Sequence, residues 1–251
     1  MEAARVAATR GHSVTLCDRG ERLGGQMLLA SRLPAKASWI KMVDYYEYQL
    51  EKLGVDVRLQ TSVDGHWVSE YRPDAVVLAA GAQPAPFRLP GATAHPVMDV
   101  FEILNGRLPP GKRAVVIGGQ RGGAEIASYL ACEGYQVQIV VRGSDPSYIA
   151  ANEGLSTRPL LMEELSRSGV EFLFGTDALA LVEGGIQVRQ DGMVSVVPCD
   201  AVVQATGLEP NNGLKSVLRE GPWDLYLVGD CVAPRGFDDA IREAFHLGII
   251  L

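Results

Sequence analysis

The residues of this sequence best suited to chemistry form a glycine-rich loop, Gly118-Gly119-Gln120-Arg121-Gly122-Gly123. The loop follows an apolar strand predicted at Arg113–Ile117 and precedes a helix predicted to run through Glu133. In that context glycines let the backbone approach a pyrophosphate, which the N–H groups and dipole at the helix start hold. The middle glycine of the G-x-G-x-x-G pattern is replaced by Gln120, whose side chain would occupy space that a diphosphate uses. The loop therefore predicts a dinucleotide site with one departure.

The end of the next strand bears on the choice between NADH and NADPH. An acidic residue there, about 20 residues after the loop, binds the ribose of NAD, whereas an arginine accepts the 2′-phosphate of NADP. Val141 and Arg142 occupy this position. If the site binds a nicotinamide cofactor, NADPH is therefore favoured over NADH. The alternative is a vestigial site that keeps the fold and has lost its ligand.

A second group of candidates lies near the start of the chain. Asp18 ends a predicted strand, where a carboxylate can accept both hydroxyls of an adenosine ribose; a solvated turn aspartate is the alternative. The following stretch, Leu23-Gly24-Gly25-Gln26, contains a glycine pair that could let a loop lie against a cofactor. A plain turn would have the same composition.

Two stretches of sequence recur and indicate a duplicated unit. Residues 4–20 match residues 127–143 as helix, glycine stop and strand, and residues 74–84 match residues 200–210 as a buried strand entering a glycine turn. Alternating strands and helices predict parallel sheets with right-handed crossovers, so the architecture should be doubly wound α/β. Three further elements are expected: a helix within 38–53, a strand at 55–60 and an antiparallel meander over 178–197.

The repeat also predicts what the first unit lacks. Aligning the helices puts Gly134 on Gly11, which places the equivalent of Gly123 one position before Met1. The first strand and glycine loop of that unit are therefore expected to be absent from this polypeptide. Either the sequence is a fragment or mis-started reading of a longer chain, or it is a genuine truncation that folds by another arrangement.

Composition excludes several classes of function. The chain has 251 residues, 47% of them hydrophobic, and a formal net charge of −7 without a basic run, which argues against a nucleic-acid surface. Its apolar stretches are far shorter than the roughly 20 residues of a membrane-spanning helix. The four cysteines form neither a C-x-x-C pair nor a metal-binding spacing, so free thiols and a cytoplasmic location are expected. The four histidines are not paired with a nucleophile or carboxylate motif, and we expect neither a catalytic acid or base nor a metal site.

These motifs occur together in an order that resembles the pyridine nucleotide-disulfide oxidoreductase superfamily. The most specific are Leu23-Gly24-Gly25-Gln26 and Val228-Gly229-Asp230-Cys231-Val232-Ala233-Pro234-Arg235, followed by Asp239-Ala240-Ile241-Arg242-Glu243-Ala244. Within the superfamily, the chain is most similar to the C-terminal half of NADH:flavin oxidoreductases of the 2,4-dienoyl-CoA reductase and trimethylamine dehydrogenase type. Ala80 departs from the pattern, since the family has threonine at that position of an A-T-G turn.

The resemblance implies an FAD domain interrupted by an NAD(P) domain, both Rossmann-like and three-layered, with the first lacking its N-terminal strand and glycine loop. The expected domains are 1–95 with 199–251 for FAD and 96–198 for NAD(P). Asp230 would hold the ribityl chain, and a helix beginning near Asp239 would point its N-terminus at the flavin pyrimidine. The residues expected to contact cofactors are Asp18, Arg19, Gly24, Gly25, Gln26, Val63, Ala80, Gly81, Gly118, Gly119, Gly123, Arg142, Gly207, Gly229, Asp230, Asp239 and Ala240.

The implied function is passage of a hydride from NAD(P)H to FAD and of electrons to an acceptor site outside this chain. Family members carry an FMN-bearing barrel and an iron-sulfur cluster upstream, so the expected partner is such a domain or a separate acceptor protein. The alternatives are a non-catalytic nucleotide-binding scaffold that holds ADP or nothing, as the resemblance to the trimethylamine dehydrogenase branch implies, and a truncated fragment of such an enzyme.

Overall fold

The computed structural model describes residues 1–91, 95–151 and 157–251. Its strands, in chain order, are β1 (Thr15–Cys17), β2 (Asp56–Arg58), β3 (Ala75–Leu78), β4 (Ala82–Pro84), β5 (Val97–Asp99), β6 (Arg113–Ile117), β7 (Gln136–Val140), β8 (Glu171–Leu173), β9 (Thr176–Val182), β10 (Gly185–Gln190), β11 (Met193–Pro198), β12 (Ala201–Gln204), β13 (Leu208–Pro210) and β14 (Asp224–Leu227). Its α-helices are α1 (Glu2–Thr9), α2 (Gln26–Ala30), α3 (Ile40–Lys52), α4 (Gly65–Tyr71), α5 (Val100–Leu104), α6 (Arg121–Cys132), α7 (Thr157–Arg167), α8 (Lys215–Leu218) and α9 (Phe237–Ile250). Short 3₁₀ turns cover Pro34–Trp39, Pro146–Tyr148 and Gly229–Cys231.

The chain divides into two compact units. The first comprises residues 1–83 and 208–251, and the second comprises residues 84–207. These limits differ from the expected domains, which assigned residues 84–95 and 199–207 to the FAD domain. Residues 199–207 belong to the second unit because β12 lies between β5 and β6 and pairs with both of them in its sheet.

The second unit is built on a parallel sheet in the order β5-β12-β6-β7-β8. Its central strands are apolar runs because both faces are covered: Val116, Val202 and Val203 are all fully buried. Helix α6 packs on β6 and β7. Strands β9, β10 and β11 form the predicted antiparallel meander, and Leu181 and Ile186 pack into the same core as Val202.

Glycines set the turns of the meander and the ends of two helices. The hairpin after β10 has positive φ at Asp191 and Gly192, as a tight antiparallel turn requires. Gly11 follows α1 and Gly134 follows α6, each with positive φ, before the chain enters a parallel strand. The helix, glycine stop and strand predicted from the repeat are therefore confirmed in both units.

The first unit contains parallel strand pairs and a pair of packed helices. Strand β1 pairs with β2, and β3 pairs with β14 in the register Leu78↔Leu227. Helices α1 and α9 approach closely at Gly248, where an added Cβ would lie 2.6 Å from the Cβ of Val6. The helix predicted within 38–53 is α3, whose Val43 and Leu50 are completely buried.

Candidate flavin and nucleotide sites

Two turns of the first unit lie at one sheet edge. Because β3 and β14 are parallel and in register at Leu78 and Leu227, the residues that follow both strands emerge side by side. The thiol of Cys231 donates to the carbonyl of Leu78 at 3.0 Å, which ties the second turn to the end of β3. The turns 79–81 and 228–230, predicted to contact a cofactor, are thus brought together. In open α/β sheets, ligands bind outside the carboxyl ends of the strands.

The turn at Ala80 and Gly81 is held by an asparagine that the sequence patterns did not single out. Asn211 donates its backbone N–H to the carbonyl of Gly81 at 3.0 Å and its side-chain amide to that of Ala80 at 3.2 Å. Gly81 has φ +71°, and a Cβ added there would lie 3.2 Å from Nε2 of Gln26. The structure therefore places Gln26 beside Gly81. The position of Asn211 directly after the repeated strand-turn segment was the available signal for its role.

The turn at Gly229 and Asp230 is fixed from α9. Gly229 has φ +70°, and its N–H donates to Oε2 of Glu243 at 2.9 Å. Asp230 accepts the backbone N–H of Arg235 on Oδ1 at 3.0 Å. Within the described ranges, the other carboxylate oxygen of Asp230 has no hydrogen-bond partner. That oxygen is free to accept a bond from a ligand hydroxyl.

Helix α9 begins directly after this turn, at Phe237 rather than at Asp239. Its N-cap is Gly236, and among the described residues no side chain bonds the first N–H groups. Asp239 is ion-paired with Arg242. Ala240 packs near Gly229, since a Cβ added to that glycine would lie 3.3 Å from the Ala240 methyl group. The start of α9 therefore leaves N–H groups and a positive dipole end close to the Gly229 turn.

Asp18 lies at the carboxyl end of β1, and one of its two carboxylate oxygens is hydrogen-bonded within the turn that follows. Its Oδ1 accepts the N–H of Gly20 at 2.7 Å, and within the described ranges the other oxygen has no hydrogen-bond partner. Burial lowers the pKa of the Met1 amino group, and the carboxylates of Glu2 and Asp18 oppose that shift, so the start of α1 lies near Asp18. Arg19 is exposed.

The glycine pair after Asp18 has two separate roles. Gly24 has φ +120°, and a Cβ there would lie 2.9 Å from Cγ2 of Val43, so Gly24 is required by packing on α3. A Cβ on Gly25 would meet no atom within 4 Å. Arg22 anchors the loop to α3 through Glu47 at 2.7 Å and Asp44 at 2.6 Å, and these carboxylates raise the pKa of its guanidinium. Of this glycine pair, Gly25 is the one that leaves open space for a ligand among the described residues.

Val63 is partly buried among apolar side chains. It packs on the apolar cluster of Val68, Leu218 and Trp223 between α4 and α8. The segment that contains Val63 is linked to Asp18 through the backbone, because Thr61 donates its N–H to the Asp18 carbonyl at 2.9 Å.

In the second unit, the glycine loop follows β6 and opens α6 as predicted. A Cβ on Gly118 would collide with the carbonyl oxygen of Ala205, and one on Gly123 with the carbonyl oxygen of Gly118. A Cβ on Gly119 would lie 2.7 Å from Cδ1 of Ile149. Gly118 and Gly123 are therefore needed by the packing of the chain itself, whatever the loop binds, whereas a Cβ on Gly119 would meet the far end of a side chain that can shift.

Gln120, Arg142 and Gly207, the other candidate residues of this unit, are exposed to solvent. Gln120 is the N-cap of α6, and its side chain is exposed and does not cap the helix. Arg142 is exposed after β7 and has no hydrogen-bond or ion-pair partner in the part of the chain that the structure describes. Gly207 has φ +118° and accepts the N–H of Ala85 at 3.1 Å.

The family model described as pyridine nucleotide-disulphide oxidoreductase matches residues 1–221. The chain belongs to this family. Bilirubin reductase of Mediterraneibacter gnavus is 36% identical over 232 residues, which are 92% of this chain and 36% of that protein. NADH oxidase of Thermoanaerobacter brockii is 32% identical over 253 residues, 98% of this chain and 38% of that protein. The chain thus spans well under half the length of these relatives.

Solved structures confirm the fold expected of this oxidoreductase family. A complex of 2-naphthoyl-CoA reductase with 2-naphthoyl-CoA is 26% identical, with a TM-score of 0.93 over all of this chain and 38% of that one. Histamine dehydrogenase from Rhizobium sp. 4-9 shares the fold, with 23% identity and a TM-score of 0.89 over 100% of this chain and 42% of that one. The predicted Rossmann-like α/β class and the resemblance to the NADH:flavin oxidoreductase group are therefore correct.

The cysteines of this family member are not arranged for dithiol chemistry. All four are free, and burial raises the pKa of Cys231 and raises that of Cys199 to about 11. These two buried thiols therefore stay protonated at neutral pH. Across residues 1–91, 95–151 and 157–251, no group of three or more His, Cys, Asp or Glu is placed to hold a metal ion, and no helix is long and apolar enough to cross a membrane.

The residues of the first unit fit FAD. Asp18 and Asp230 each keep one carboxylate oxygen without a partner in the described ranges, which suits the hydroxyl-rich ribose and ribityl groups. Gly25 leaves room for a ligand, and the start of α9 carries N–H groups without a side-chain cap. The second unit fits NADPH less completely: Arg142 is a cation without a partner in the described ranges, whereas the exposed Gln120 stands where the dinucleotide pattern has its middle glycine.

Proposed function

We propose that the first unit binds FAD, that the second binds NADPH, and that this module passes a hydride from the nicotinamide to the flavin. The observation that carries the proposal is the pair of turns that follow β3 and β14. Their in-register parallel pairing brings Ala80, Gly81, Gly229 and Asp230 to one edge, with an uncapped helix start behind them. Membership of an oxidoreductase family supports the same reading.

The protein residues supply binding and orientation, while the flavin, when bound, supplies the hydride-accepting chemistry. Asp18 accepts the ribose hydroxyls of the adenosine, and the free oxygen of Asp230 accepts a ribityl hydroxyl. The N-terminus of α9 stabilises negative charge that develops on the pyrimidine ring, because its unbonded N–H groups carry partial positive charge. Gln26, close to Gly81, adds an amide donor at the same edge.

Electrons then leave for an acceptor site outside this chain. The relatives are more than twice as long as the matched region, which leaves room in them for such a site. We propose as the partner an FMN and iron-sulfur barrel domain upstream in the same polypeptide, or a separate acceptor protein. The four unpaired cysteines suit a reducing compartment, so the proposal includes a cytoplasmic location.

One anaerobic experiment tests this function. The purified chain is mixed with FAD, freed of unbound ligand and titrated with NADPH and with NADH. Retained yellow colour that NADPH bleaches is the expected result, whereas a chain that retains no FAD would refute the proposal. A non-catalytic nucleotide scaffold is the second candidate, favoured by the exposed Gln120 in the phosphate loop. It predicts retention of ADP without a flavin that NADPH can reduce.

The preference for NADPH depends on Arg142. Its exposed guanidinium has no competing ion pair in the described ranges, so it is available to a 2′-phosphate. Arg142→Gln should lower the NADPH to NADH ratio of reduction rates about tenfold or more, since a hydrogen bond to a charged group contributes about 1.5–3 kcal/mol. Arg189→Gln, which changes an exposed arginine of β10, is the control and should leave the ratio unchanged. An unaltered ratio in Arg142→Gln would remove Arg142 from the site.

A further inference from the structure

Glu243 is the one side chain of α9 that bonds both ends of the turn carrying Asp230, within the described ranges. Its Oε2 accepts the N–H of Gly229 at 2.9 Å, and its Oε1 is ion-paired with the guanidinium of Arg235. Arg235 in turn donates its backbone N–H to Oδ1 of Asp230 at 3.0 Å. The carboxylate of Glu243 therefore closes a ring of contacts around residues 229–235.

This ring fixes one oxygen of Asp230 and leaves the other open. Gly229 has φ +70°, which glycine adopts readily because it has no Cβ, and hydrogen bonds from outside the turn hold it in this shape. Its N–H bond to Glu243 is one such contact, and Asn212 adds a weaker one, an amide donor 3.4 Å from the Cys231 carbonyl. Without Glu243, the N–H of Gly229 would lose its acceptor and the guanidinium of Arg235 would keep, within the described ranges, only the bond from its Nε to the Ala233 carbonyl at 3.2 Å.

Electrostatics agree with this geometry. The N–H of Gly229 is the largest influence on the Glu243 carboxylate and holds its pKa below the ordinary value, with Arg235 acting in the same direction. Glu243 is therefore ionised at neutral pH and forms charge-assisted bonds with both partners.

We propose that Glu243 is a positioning residue of the flavin site, which aims the free oxygen of Asp230 by holding Gly229 and Arg235. The inference rests on the proposed binding of FAD. Glu243 does not touch the ligand in this proposal. It acts at the ribityl end, so its removal should weaken binding of FAD and spare binding of ADP, which uses only the Asp18 end.

The test compares Glu243→Ala and Glu243→Gln with the wild-type chain. Glu243→Ala should weaken FAD binding about tenfold and change ADP binding by less than twofold. Glu243→Gln keeps a neutral acceptor for the Gly229 N–H, so it should recover part of the loss. If the role were only structural, FAD and ADP affinities would fall together, because both would follow the folded fraction.

A second readout is independent of the flavin. Hydrogen exchange of the peptide that covers residues 229–235 should be about tenfold faster in Glu243→Ala than in the wild type. Asp238→Asn is the matched control, since it removes an acid from the first turn of the same helix and Asp238 has no hydrogen-bond or ion-pair partner in the described part of the chain. It should leave exchange of this peptide unchanged.

The outcomes separate this inference from the function on which it rests. A wild-type chain that does not bind FAD refutes the proposed function, and exchange of residues 229–235 then decides whether Glu243 holds the turn. If the wild-type chain binds FAD and Glu243→Ala binds it with the same affinity, the positioning role is refuted and the proposed function stands. Unchanged exchange in Glu243→Ala refutes it in either case.

Discussion

Asp18 shows how one carboxylate can serve both the fold and a ligand. One oxygen accepts the N–H of Gly20 and shapes the turn after β1, while the other has no partner in the described ranges. A carboxylate accepts several hydrogen bonds, so the second oxygen remains available to ribose hydroxyls without loss of the turn. Asp230 has the same arrangement, since its Oδ1 accepts the N–H of Arg235 and its other oxygen has no partner in the described ranges.

Replacement of Asp18 by asparagine tests this division. Asp18→Asn keeps an oxygen for the Gly20 N–H but loses the charged acceptor, so affinity for ADP and FAD should fall about tenfold or more. Isothermal titration calorimetry with each nucleotide measures the change. Asp74→Asn is the control, because Asp74 is exposed before the amino end of β3. Equal affinities in the two variants would show that Asp18 is only a turn residue.

Asp200 carries a pH prediction that does not depend on any ligand. Its Oδ2 accepts the N–H groups of Lys112 and Arg113 at 3.0 Å, and its Oδ1 pairs with the Arg113 guanidinium at 2.6 Å. Arg113 is the largest cause of a pKa well below the ordinary aspartate range. A depressed pKa in the folded state gives stability that is present above the unfolded pKa of about 4 and is lost as pH falls toward the folded value.

Asp200→Asn should therefore have a lower Tm than the wild type at pH 7, and the difference should shrink as the pH is lowered below about 4. Thermal unfolding followed by circular dichroism from pH 7 to pH 3 measures both curves. Glu51→Gln, at an exposed position of α3, should follow the wild-type curve. A constant difference between Asp200→Asn and the wild type across this range would contradict the role assigned to the ion pair.

At the scale of elements, we expect alanine substitutions at two adjacent glycines of α6 to change the stability in opposite directions. A Cβ on Gly123 would strike the carbonyl oxygen of Gly118, whereas a Cβ on Gly122 would meet no atom within 4 Å. Gly123→Ala should therefore lose about 1–3 kcal/mol through overpacking. Gly122→Ala should gain up to about 1 kcal/mol, because alanine is the better helix former. Urea denaturation of both variants measures the difference, and equal stabilities would mean that the loop does not pack as described.

The elements themselves were largely predictable because their signals are local. Gly11 and Gly134 end helices before parallel strands, and the turn at Asp191 and Gly192 closes the meander, as the sequence indicated. The place of β12 was not predictable in the same way, since its partners are β5 and β6, far away along the chain. The sequence repeat therefore identifies β12 as a strand but does not predict which sheet it joins.

The contacts that hold the candidate site were harder still to predict. Asn211 bonds Gly81, and Glu243 bonds Gly229. The two members of each pair are far enough apart in the sequence that no helix or strand periodicity predicts their contact. Aspartates and glycines could be recognised because their chemistry or backbone freedom identifies them individually. The residues that position them are recognised only by the hydrogen bonds they form in the folded chain.

At the scale of the whole molecule, the two units differ in how the chain builds them. The first is assembled from two separate segments, whereas the second is continuous over residues 84–207 and holds a five-stranded parallel sheet with its own buried core. A continuous segment with its own core meets the requirements for independent folding. The second unit should therefore fold without the first.

Expression of residues 84–207 alone tests this independence. The fragment should unfold cooperatively in urea, and NADPH should raise its midpoint more than NADH does, since a ligand that binds only the folded state stabilises it by mass action. The matched control is residues 84–198, which lacks β12. Because β12 lies between β5 and β6 and is buried along its whole length, this shorter fragment should not unfold cooperatively. Equal cooperativity in the two fragments would mean that β12 is dispensable and that the unit ends before residue 199.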